Sequence, residues 1–171
     1  MTGTATRTAT EAQSSASDGQ LQVLLVEDNP ADAELVLREL KREGFDVTSD
    51  IVQTIEDFIR QIRSCRYQII LADYNLPQWR GVEALELLRQ EGLDIPLILV
   101  SGAVGDVIAV ECIKQGATDY VLKDALSRLP VAVRRALQEK RQRDQRHRAE
   151  QDLARKAVEL ARSNQDRKSV V

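Results

Sequence analysis

The segment VLLVEDNP at residues 23–30 decides the fold, because it joins a strand, an acidic pair and the start of a helix. An unbroken run of Val and Leu is typical of a parallel strand that is buried on both faces. Asn29 and Pro30 are expected to begin a helix, since a proline in the first turn removes no hydrogen bond that the helix could make. The segment therefore predicts a strand–turn–helix unit that carries Glu27 and Asp28 at the carboxyl end of the strand.

The same alternation of a short apolar run and a helical stretch continues to about residue 137. Parallel strands need a crossover long enough for a helix, so the alternation predicts an α/β fold with a parallel sheet covered on both faces. The fifth run is shorter and more polar than the others, which suits an edge strand. The apolar runs lie at residues 23–26, 47–52, 69–72, 97–100 and 120–122, and the helical stretches at residues 31–42, 54–64, 82–90 and 106–115.

The two ends of the chain differ from this region in composition. Residues 1–19 carry almost no bulky apolar side chains and cannot offset their ordering entropy, so we expect a disordered leader. Residues 20–137 are expected to form one domain. Residues 138–171 are expected to extend its last helix as a basic helix that could form a coiled coil and that frays at its end. The apolar stripe for such a coiled coil consists of Leu153, Ala157 and Leu160.

Charge divides the chain at nearly the same place. Residues 1–133 carry 12 Lys and Arg against 21 Asp and Glu, whereas residues 134–171 carry 12 against 6. The basic end could bind nucleic acid or another acidic surface, and such binding would weaken with added salt. Opposite charges four residues apart favour instead a solvated helix that supports itself. These pairs are Glu139/Arg143, Asp144/Arg148 and Asp152/Lys156.

Composition disfavours several classes of protein. No apolar run reaches the roughly 18 residues of a membrane span, and the N-terminus shows no secretory signal. Cys65 and Cys112 stand alone, which indicates reduced thiols rather than a disulfide framework or a metal site. The sequence therefore predicts a cytoplasmic protein without a membrane contact.

Chemically active side chains follow four of the predicted strands at their carboxyl ends. Ligands bind beyond this edge in an open parallel sheet, so we expect these side chains to converge. Clustered carboxylates repel one another and call for a cation, and oxygen-only ligands suit Mg²⁺. The first strand supplies Glu27 and Asp28, the third Asp73, the fourth Ser101 and the fifth Lys123.

Phosphoryl transfer is the chemistry that this set favours. One oxygen of Asp73 would remain free to attack phosphorus, while Mg²⁺ and Lys123 neutralise charge on the phosphoryl oxygens. Ser101 can donate a hydrogen bond to the phosphoryl group once it has formed. Each residue alone has a commoner structural explanation, and it is the agreement of four strand ends that favours a site.

These residues resemble the receiver domain of two-component response regulators over about residues 23–137. The resemblance implies a flavodoxin-like, doubly wound sheet of five strands in the order 2-1-3-4-5, followed here by an extended C-terminal helix. Residues 75–135 most closely resemble receivers that are attached through a long helix to sensor or histidine kinase modules, the type found in hybrid sensor histidine kinases. The matching motifs are VEDN at residues 26–29, DYNLP at 73–77 with Gly81, VSG at 100–102 and DYVLK at 119–123.

The resemblance implies a role for each residue of the site. Asp73 accepts the phosphoryl group, Ser101 and Lys123 bind it, and Tyr120 is the switch residue whose rotamer follows Ser101. The implied Mg²⁺ ligands are Glu27, Asp28, Asp73 and the backbone carbonyl of Asn75.

The function implied is that of a phosphorelay receiver. It would take the phosphoryl group from a phosphohistidine of a histidine kinase or phosphotransfer protein and switch protein–protein interaction or self-association. A homodimer could form through the C-terminal helix and the face of the fourth and fifth helices. No DNA-binding domain is expected, and no enzymatic activity is expected beyond self-phosphorylation and autodephosphorylation.

Two other functions stay open. A Mg²⁺-dependent phosphohydrolase would use Asp73 as its nucleophile and turn over an external phosphate ester, whereas a receiver should only become labelled. A constitutive coiled-coil interaction protein would associate through its tail regardless of phosphorylation. The only histidine, His147, is interpreted as a solvated helix residue rather than a phospho-donor.

Two positions depart from the family pattern. Lys123 is followed by Asp124 instead of proline. We therefore expect a trans peptide bond and a different loop there, because a cis bond without proline costs about 3–4 kcal/mol. Trp79 and Arg80 could form an exposed partner contact beside the site, but packing of Trp79 over the third helix is the preferred alternative.

Overall fold

The structure is a computed structural model that describes residues 19–64, 66–102 and 105–170, without the side chain of Asp106. The expected leader lies outside these residues except for its last position, and Cys65 lies outside them as well. Cys112 is a buried free thiol. The elements in chain order are β1 Gln20–Val26, α1 Pro30–Arg42, β2 Asp46–Val52, α2 Ile55–Ile62, β3 Ile69–Asp73, α3 Glu83–Gln90, β4 Leu97–Ser101, α4 Asp106–Gln115, β5 Asp119–Leu122, a 3₁₀ helix Lys123–Arg128 and α5 Leu129–Lys168.

A parallel sheet of five strands in the order β2-β1-β3-β4-β5 organises the chain, which confirms the predicted fold class. The direction of winding reverses between β1 and β3, where Val26 pairs with Ala72 at the carboxyl edge. A crevice for ligands is expected at such a reversal. β5 is an edge strand, as its polar sequence predicts, and β2 is the other edge.

Two apolar layers cover the sheet, because successive side chains of a strand point to opposite faces. Every residue of β3 and β4 is buried, which explains their nearly continuous apolar sequence. In β1, Leu24 and Val26 belong to the layer that contains Phe58 of α2, whereas Val23 and Leu25 belong to the layer beneath α1 and α5. The residues that end the central strands are thereby fixed from both sides.

Helix α1 begins where the sequence predicts. The Asn29 side-chain oxygen accepts a hydrogen bond from the Ala31 amide at 3.0 Å, and Pro30 occupies the first helical position. Asp32 follows in the first turn, at the end of the helix that borders the carboxyl edge of the sheet. The buried residues Ala33, Val36 and Leu40 recur at helical spacing and hold this orientation.

Helix α5 is continuous over its 40 residues. Its buried side chains end at Ala136, and every described side chain from residue 145 onward is exposed. The helix passes residue 163, where fraying was expected, and ends at Lys168. Among the described residues no helix, α5 included, combines the length and the apolar character that crossing a bilayer requires.

The part of α5 that follows its buried face makes a long-range contact. Lys140 and Arg143 donate hydrogen bonds to the Asp94 carboxylate in the loop before β4, at 3.2 and 3.3 Å. Residues 138–148 contain no apolar side chain apart from their aliphatic stems, so no hydrophobic pattern indicates this tether. This contact adds a tether to a segment whose side chains are otherwise mostly exposed.

The structure answers both questions that the departures from the family pattern raise. No cis peptide bond occurs among the described residues, so the trans bond after Lys123 is confirmed, and the 3₁₀ helix begins directly at that lysine. Trp79 is only 4% exposed and its ring packs against Phe58, with 5.6 Å between centroids. Its indole nitrogen donates to the Gln53 carbonyl at 3.0 Å. Packing of Trp79 is thus confirmed, with α2 as a partner, and only Arg80 of the pair is exposed.

Candidate functional site

Three carboxylates converge at the carboxyl edge of the sheet. Glu27 and Asp28 follow β1, Asp73 ends β3, and their oxygens lie within 4.8 Å of one another. Glu27 and Asp73 are 3% and 8% exposed, whereas Asp28 is partly exposed. A compact set of oxygen donors with one open side fits a hard divalent cation such as Mg²⁺, which keeps several of its waters.

Backbone amides fix one oxygen of each buried carboxylate. The Asn29 amide donates to Glu27 Oε1 at 3.0 Å, and the Asn75 amide donates to Asp73 Oδ1 at 3.1 Å. In both cases the donor lies two residues beyond the acid, where the chain turns out of the strand. The second oxygen of each carboxylate, Oε2 or Oδ2, therefore points to other partners.

Those partners include the ammonium group of Lys123. Its Nζ donates to Glu27 Oε2 at 2.9 Å, to Asp73 Oδ2 at 2.9 Å and to Asp32 Oδ2 at 2.7 Å. Burial acts to lower the pKa of Lys123, but hydrogen bonds to these three carboxylates outweigh it, and the pKa lies above its ordinary value. Lys123 is therefore a permanent positive charge among four acidic side chains.

Burial also acts on Glu27. It raises the pKa of this carboxyl, while the Asn29 amide and the Lys123 ammonium act in the opposite direction without cancelling the effect. A raised pKa means that the buried carboxylate is incompletely compensated by its surroundings. Additional positive charge beside Glu27 would be favourable, which agrees with a cation at the carboxylate cluster.

Two buried hydroxyl groups next to this cluster have no hydrogen-bond partner among the described residues, Ser101 Oγ at the end of β4 and Tyr120 OH in β5. A buried hydroxyl without a partner costs about 1–3 kcal/mol. Burial raises the pKa of Tyr120. Because Asp73 pairs with Val100, Ser101 lies one residue beyond the acid on the neighbouring strand. Its hydroxyl can therefore donate a hydrogen bond to a group attached to Asp73.

Comparison with known proteins identifies this arrangement. Residues 23–134 match the family described as the response regulator receiver domain, which is more than half of the chain. The chain belongs to the response regulator receiver domain family.

Curated relatives of this receiver domain are longer proteins. The cell cycle transcriptional regulator CtrA of Caulobacter vibrioides is 33% identical over 122 residues, which is 68% of this chain and 52% of CtrA. The C4-dicarboxylate transport transcriptional regulatory protein DctD of Pseudomonas aeruginosa is 35% identical over 130 residues, which is 72% of this chain and 27% of DctD. The chain thus spans about half of CtrA and about a quarter of DctD.

Solved structures agree with the family. A signal receiver domain from Vibrio parahaemolyticus superimposes with a TM-score of 0.64 at 29% identity, covering 73% of this chain and 95% of the other. FixJ-N superimposes with a TM-score of 0.60 at 28% identity, covering 69% and 94%.

The receiver domain brings the predicted site residues to one edge of its sheet. Lys123 contacts Glu27 and Asp73 directly, and Asp28 completes the carboxylate cluster. Asn75 and Arg80 form an isolated antiparallel bridge in the loop after β3. The predicted roles of these residues, including a metal contact from the Asn75 carbonyl, remain predictions.

Sequence reasoning missed the part that Asp32 plays in the site. An acidic residue in the first turn of a helix is common, because it complements the helix dipole. That explanation conceals the second signal, which is that Asp32 lies only four residues beyond Asp28, in the helix that begins directly after the acidic pair. Its contact with Lys123 depends on how α1 is rotated, and packing of the apolar face of α1 sets that rotation.

Gly81 has a steric role at the receiver site. A Cβ built on Gly81 would lie 2.1 Å from the Asp73 carbonyl oxygen and 3.0 Å from its carbon. The Gly81 amide also donates to the Tyr74 carbonyl at 3.0 Å. The loop after β3 can therefore close over Asp73 only because residue 81 has no side chain.

Proposed function

We propose that this receiver domain accepts a phosphoryl group on Asp73 from the phosphohistidine of a histidine kinase or phosphotransfer protein. The observation that carries the proposal is the convergence of three carboxylates and one ammonium group at the point where the winding of the sheet reverses. Phosphoryl transfer requires mainly positioning and charge neutralisation from a protein. The residues of this edge supply both.

The residues of the site divide the work of transfer. The phosphorus–nitrogen bond of the donor breaks as a bond forms between phosphorus and an Asp73 oxygen, and the leaving nitrogen keeps the electron pair and takes a proton from water. Lys123 offsets charge on the phosphoryl oxygens, and the free Ser101 hydroxyl donates a hydrogen bond to one of them. Mg²⁺ held by Glu27, Asp28, Asp73 and the Asn75 carbonyl would supply the remaining positive charge.

Phosphorylation is transmitted through the two unpartnered hydroxyl groups. A modification shifts a conformational equilibrium only through contacts that differ between the two states. Ser101 gains a partner when Asp73 is phosphorylated, and Tyr120 on the next strand can then reorient. The face formed by α4, β5 and α5 changes when Tyr120 reorients. In the structure this face already exposes five apolar side chains, Val107, Val110, Ile113, Leu122 and Val131.

The output of this switch is protein–protein interaction or self-association. An exposed apolar surface of this kind marks an interaction site. A homodimer would use this face together with the exposed apolar side chains Leu153, Val158 and Leu160 of α5. The proposal is tested by measuring the molecular mass in solution with and without a phosphoryl mimic. A dimer that is equally stable with and without the mimic would favour a constitutive coiled-coil protein.

Labelling by a small phospho-donor tests the chemistry. Phosphoramidate with excess Mg²⁺ should add one phosphoryl group to the wild type, measured by intact mass, and none to Asp73→Asn. Asp152→Asn, which removes an exposed carboxylate of α5, should be labelled like the wild type. Equal labelling of Asp73→Asn would contradict the proposal.

The same experiment separates a receiver from a phosphohydrolase. A receiver takes up about one phosphoryl group per chain and loses it by hydrolysis of its own acyl phosphate. We expect no turnover of an external phosphate ester such as p-nitrophenyl phosphate. Sustained release of nitrophenol that depends on Asp73 would indicate an enzyme instead.

A further inference from the structure

Asp32 is the contact of Lys123 that the proposed function leaves unused. Its Oδ2 lies 2.7 Å from Lys123 Nζ, closer than either of the other two carboxylates. It comes from α1 rather than from a strand end. Its oxygens are not part of the compact cluster formed by Glu27, Asp28 and Asp73. Asp32 therefore touches the phosphoryl-binding lysine without belonging to the cation-binding set.

The hydrogen-bonding capacity of Lys123 makes this contact consequential. An ammonium group has three N–H donors and no acceptor. Glu27, Asp32 and Asp73 occupy all three. Lys123 can bind a phosphoryl oxygen only after it releases one of these acceptors, so each of them competes with the phosphoryl group.

The three competitors are not equivalent. One oxygen of Asp73 becomes bonded to phosphorus when the residue is phosphorylated. Glu27 belongs to the carboxylate cluster that would hold the cation. Asp32 is neither the acceptor nor a member of the carboxylate cluster, so neither phosphorylation nor cation binding involves its oxygens. Its side chain is also only 29% exposed, which limits the screening of its charge by solvent ions.

We propose that Asp32 is a positioning residue that draws the Lys123 ammonium toward α1 and slows phosphorylation of Asp73. The proposal rests on the proposed function and adds a determinant of its rate. Two effects of the Asp32 charge act in the same direction. It holds part of the charge of Lys123 away from the phosphoryl oxygens, and it repels an anionic donor as it enters the site.

Three variants in α1 test this role. Asp32→Asn removes the charge and retains a hydrogen-bond acceptor, and Asp32→Glu restores the charge. Glu34→Gln is the matched control, because it removes an exposed acid from the same helix and Glu34 makes no hydrogen bond or ion pair among the described residues. Labelling by phosphoramidate in excess Mg²⁺ is followed by intact mass at low and high salt, and thermal unfolding checks that each variant is folded.

The expected result is a gain in rate. Asp32→Asn should be labelled about three- to tenfold faster than the wild type at low salt, and the gain should shrink at high salt as the charge is screened. Asp32→Glu should return to the wild-type rate, and Glu34→Gln should stay within about 1.5-fold of it. A residue with only a structural role would give slower labelling and no dependence of the effect on salt.

Two results overturn the inference and separate it from the proposed function. If the wild type is labelled but Asp32→Asn is labelled at the rate of Glu34→Gln or more slowly, the restraint on Lys123 is refuted and the phospho-acceptor role of Asp73 stands. If the wild type takes no label at all, both proposals fail. If Asp32→Asn does not fold, Asp32→Ala takes its place, and the same salt-dependent gain in labelling rate is required of it for the inference to hold.

Discussion

The site edge of the sheet and the helical arm, defined as residues 138–168, are built from opposite kinds of contact. At the site, the ion pairs of Lys123 reach acids 50, 91 and 96 residues away along the chain. Within the arm, the pairs Lys140/Asp144 and Asp152/Arg155 span three or four residues. The site exists only if the whole sheet folds, whereas the arm beyond its contacts with Asp94 requires little more than a helix.

This difference indicates how the molecule is divided between chemistry and output. Long-range contacts fix the side chains that react, and a buried framework keeps their geometry constant. Short-range pairs of about 0.2–0.5 kcal/mol each maintain the arm and leave its surface free to contact another protein. The same division predicts which substitutions the protein tolerates.

The largest expected effect comes from truncating a central strand. Leu99→Ala in β4 removes a fully buried side chain and should lower the free energy of unfolding by about 2–5 kcal/mol, because the neighbouring side chains cannot fill the cavity. Leu153→Ala in the arm removes a side chain that is 68% exposed and should change it by less than about 0.5 kcal/mol. Urea denaturation of both variants measures the contrast.

The contrast would break down if the arm pairs with a second copy of the chain. Leu153→Ala would then lower the free energy of unfolding by more than about 1 kcal/mol, and the loss would depend on protein concentration. Denaturation at two concentrations separates the cases. Independence from concentration together with a large loss would mean that the arm folds back on the domain.

A smaller effect is expected at the glycine that lies against Asp73. Gly81→Ala places a methyl group 2.1 Å from the Asp73 carbonyl oxygen, so the loop after β3 must move. We expect a loss of about 1–3 kcal/mol in the free energy of unfolding, together with slower labelling of Asp73. Gly102→Ala is the control, because no atom of the described residues lies within 4 Å of the position that its methyl group would take, and it should cost less than about 0.5 kcal/mol. Equal losses in the two variants would show that the close approach is unimportant.

The sheet could be predicted from the sequence because its signals are local. The apolar runs of β1, β3 and β4 match strands that are buried on both faces. Once a parallel sheet is accepted, the strand ends share one edge, and this determines where Glu27, Asp73 and Lys123 must lie. No knowledge of helix packing is needed for that step.

The features that the sequence did not predict depend on how helices pack. Asp32 reaches Lys123 because the apolar face of α1 is turned toward the sheet, and Lys140 reaches Asp94 because α5 passes the loop before β4. Trp79 was assigned to packing over the third helix, but its ring also needs α2, which follows a different strand. Periodicity identifies the buried face of a helix but not the residue of another element that it meets.

The smallest expected effect lies where the two regions join, at the Asp94 tether. Lys140 and Arg143 make the hydrogen bonds from α5 to the rest of the described domain that lie farthest along the helix. The Asp94 side chain is 64% exposed, so solvent screens the pairs and Asp94→Asn should cost less than about 1 kcal/mol. Hydrogen exchange should be more informative than global unfolding, because the loss is confined to the start of the arm.

Amide exchange around residues 138–144 should be about two- to fivefold faster in Asp94→Asn than in the wild type, whereas Asp152→Asn should leave that segment unchanged. The effect should also depend on pH. Burial acts to raise the pKa of Asp94, but Lys140 and Arg143 outweigh it and lower the pKa. The tether therefore contributes above the ordinary pKa of 3.8 and is lost as the pH falls through the lowered value in the folded state. If Asp94→Asn exchanges like the wild type at neutral pH, the contacts of α5 up to Ala136 suffice to hold it to the domain, and the direction of the arm is set by helix stiffness rather than by the Asp94 charge.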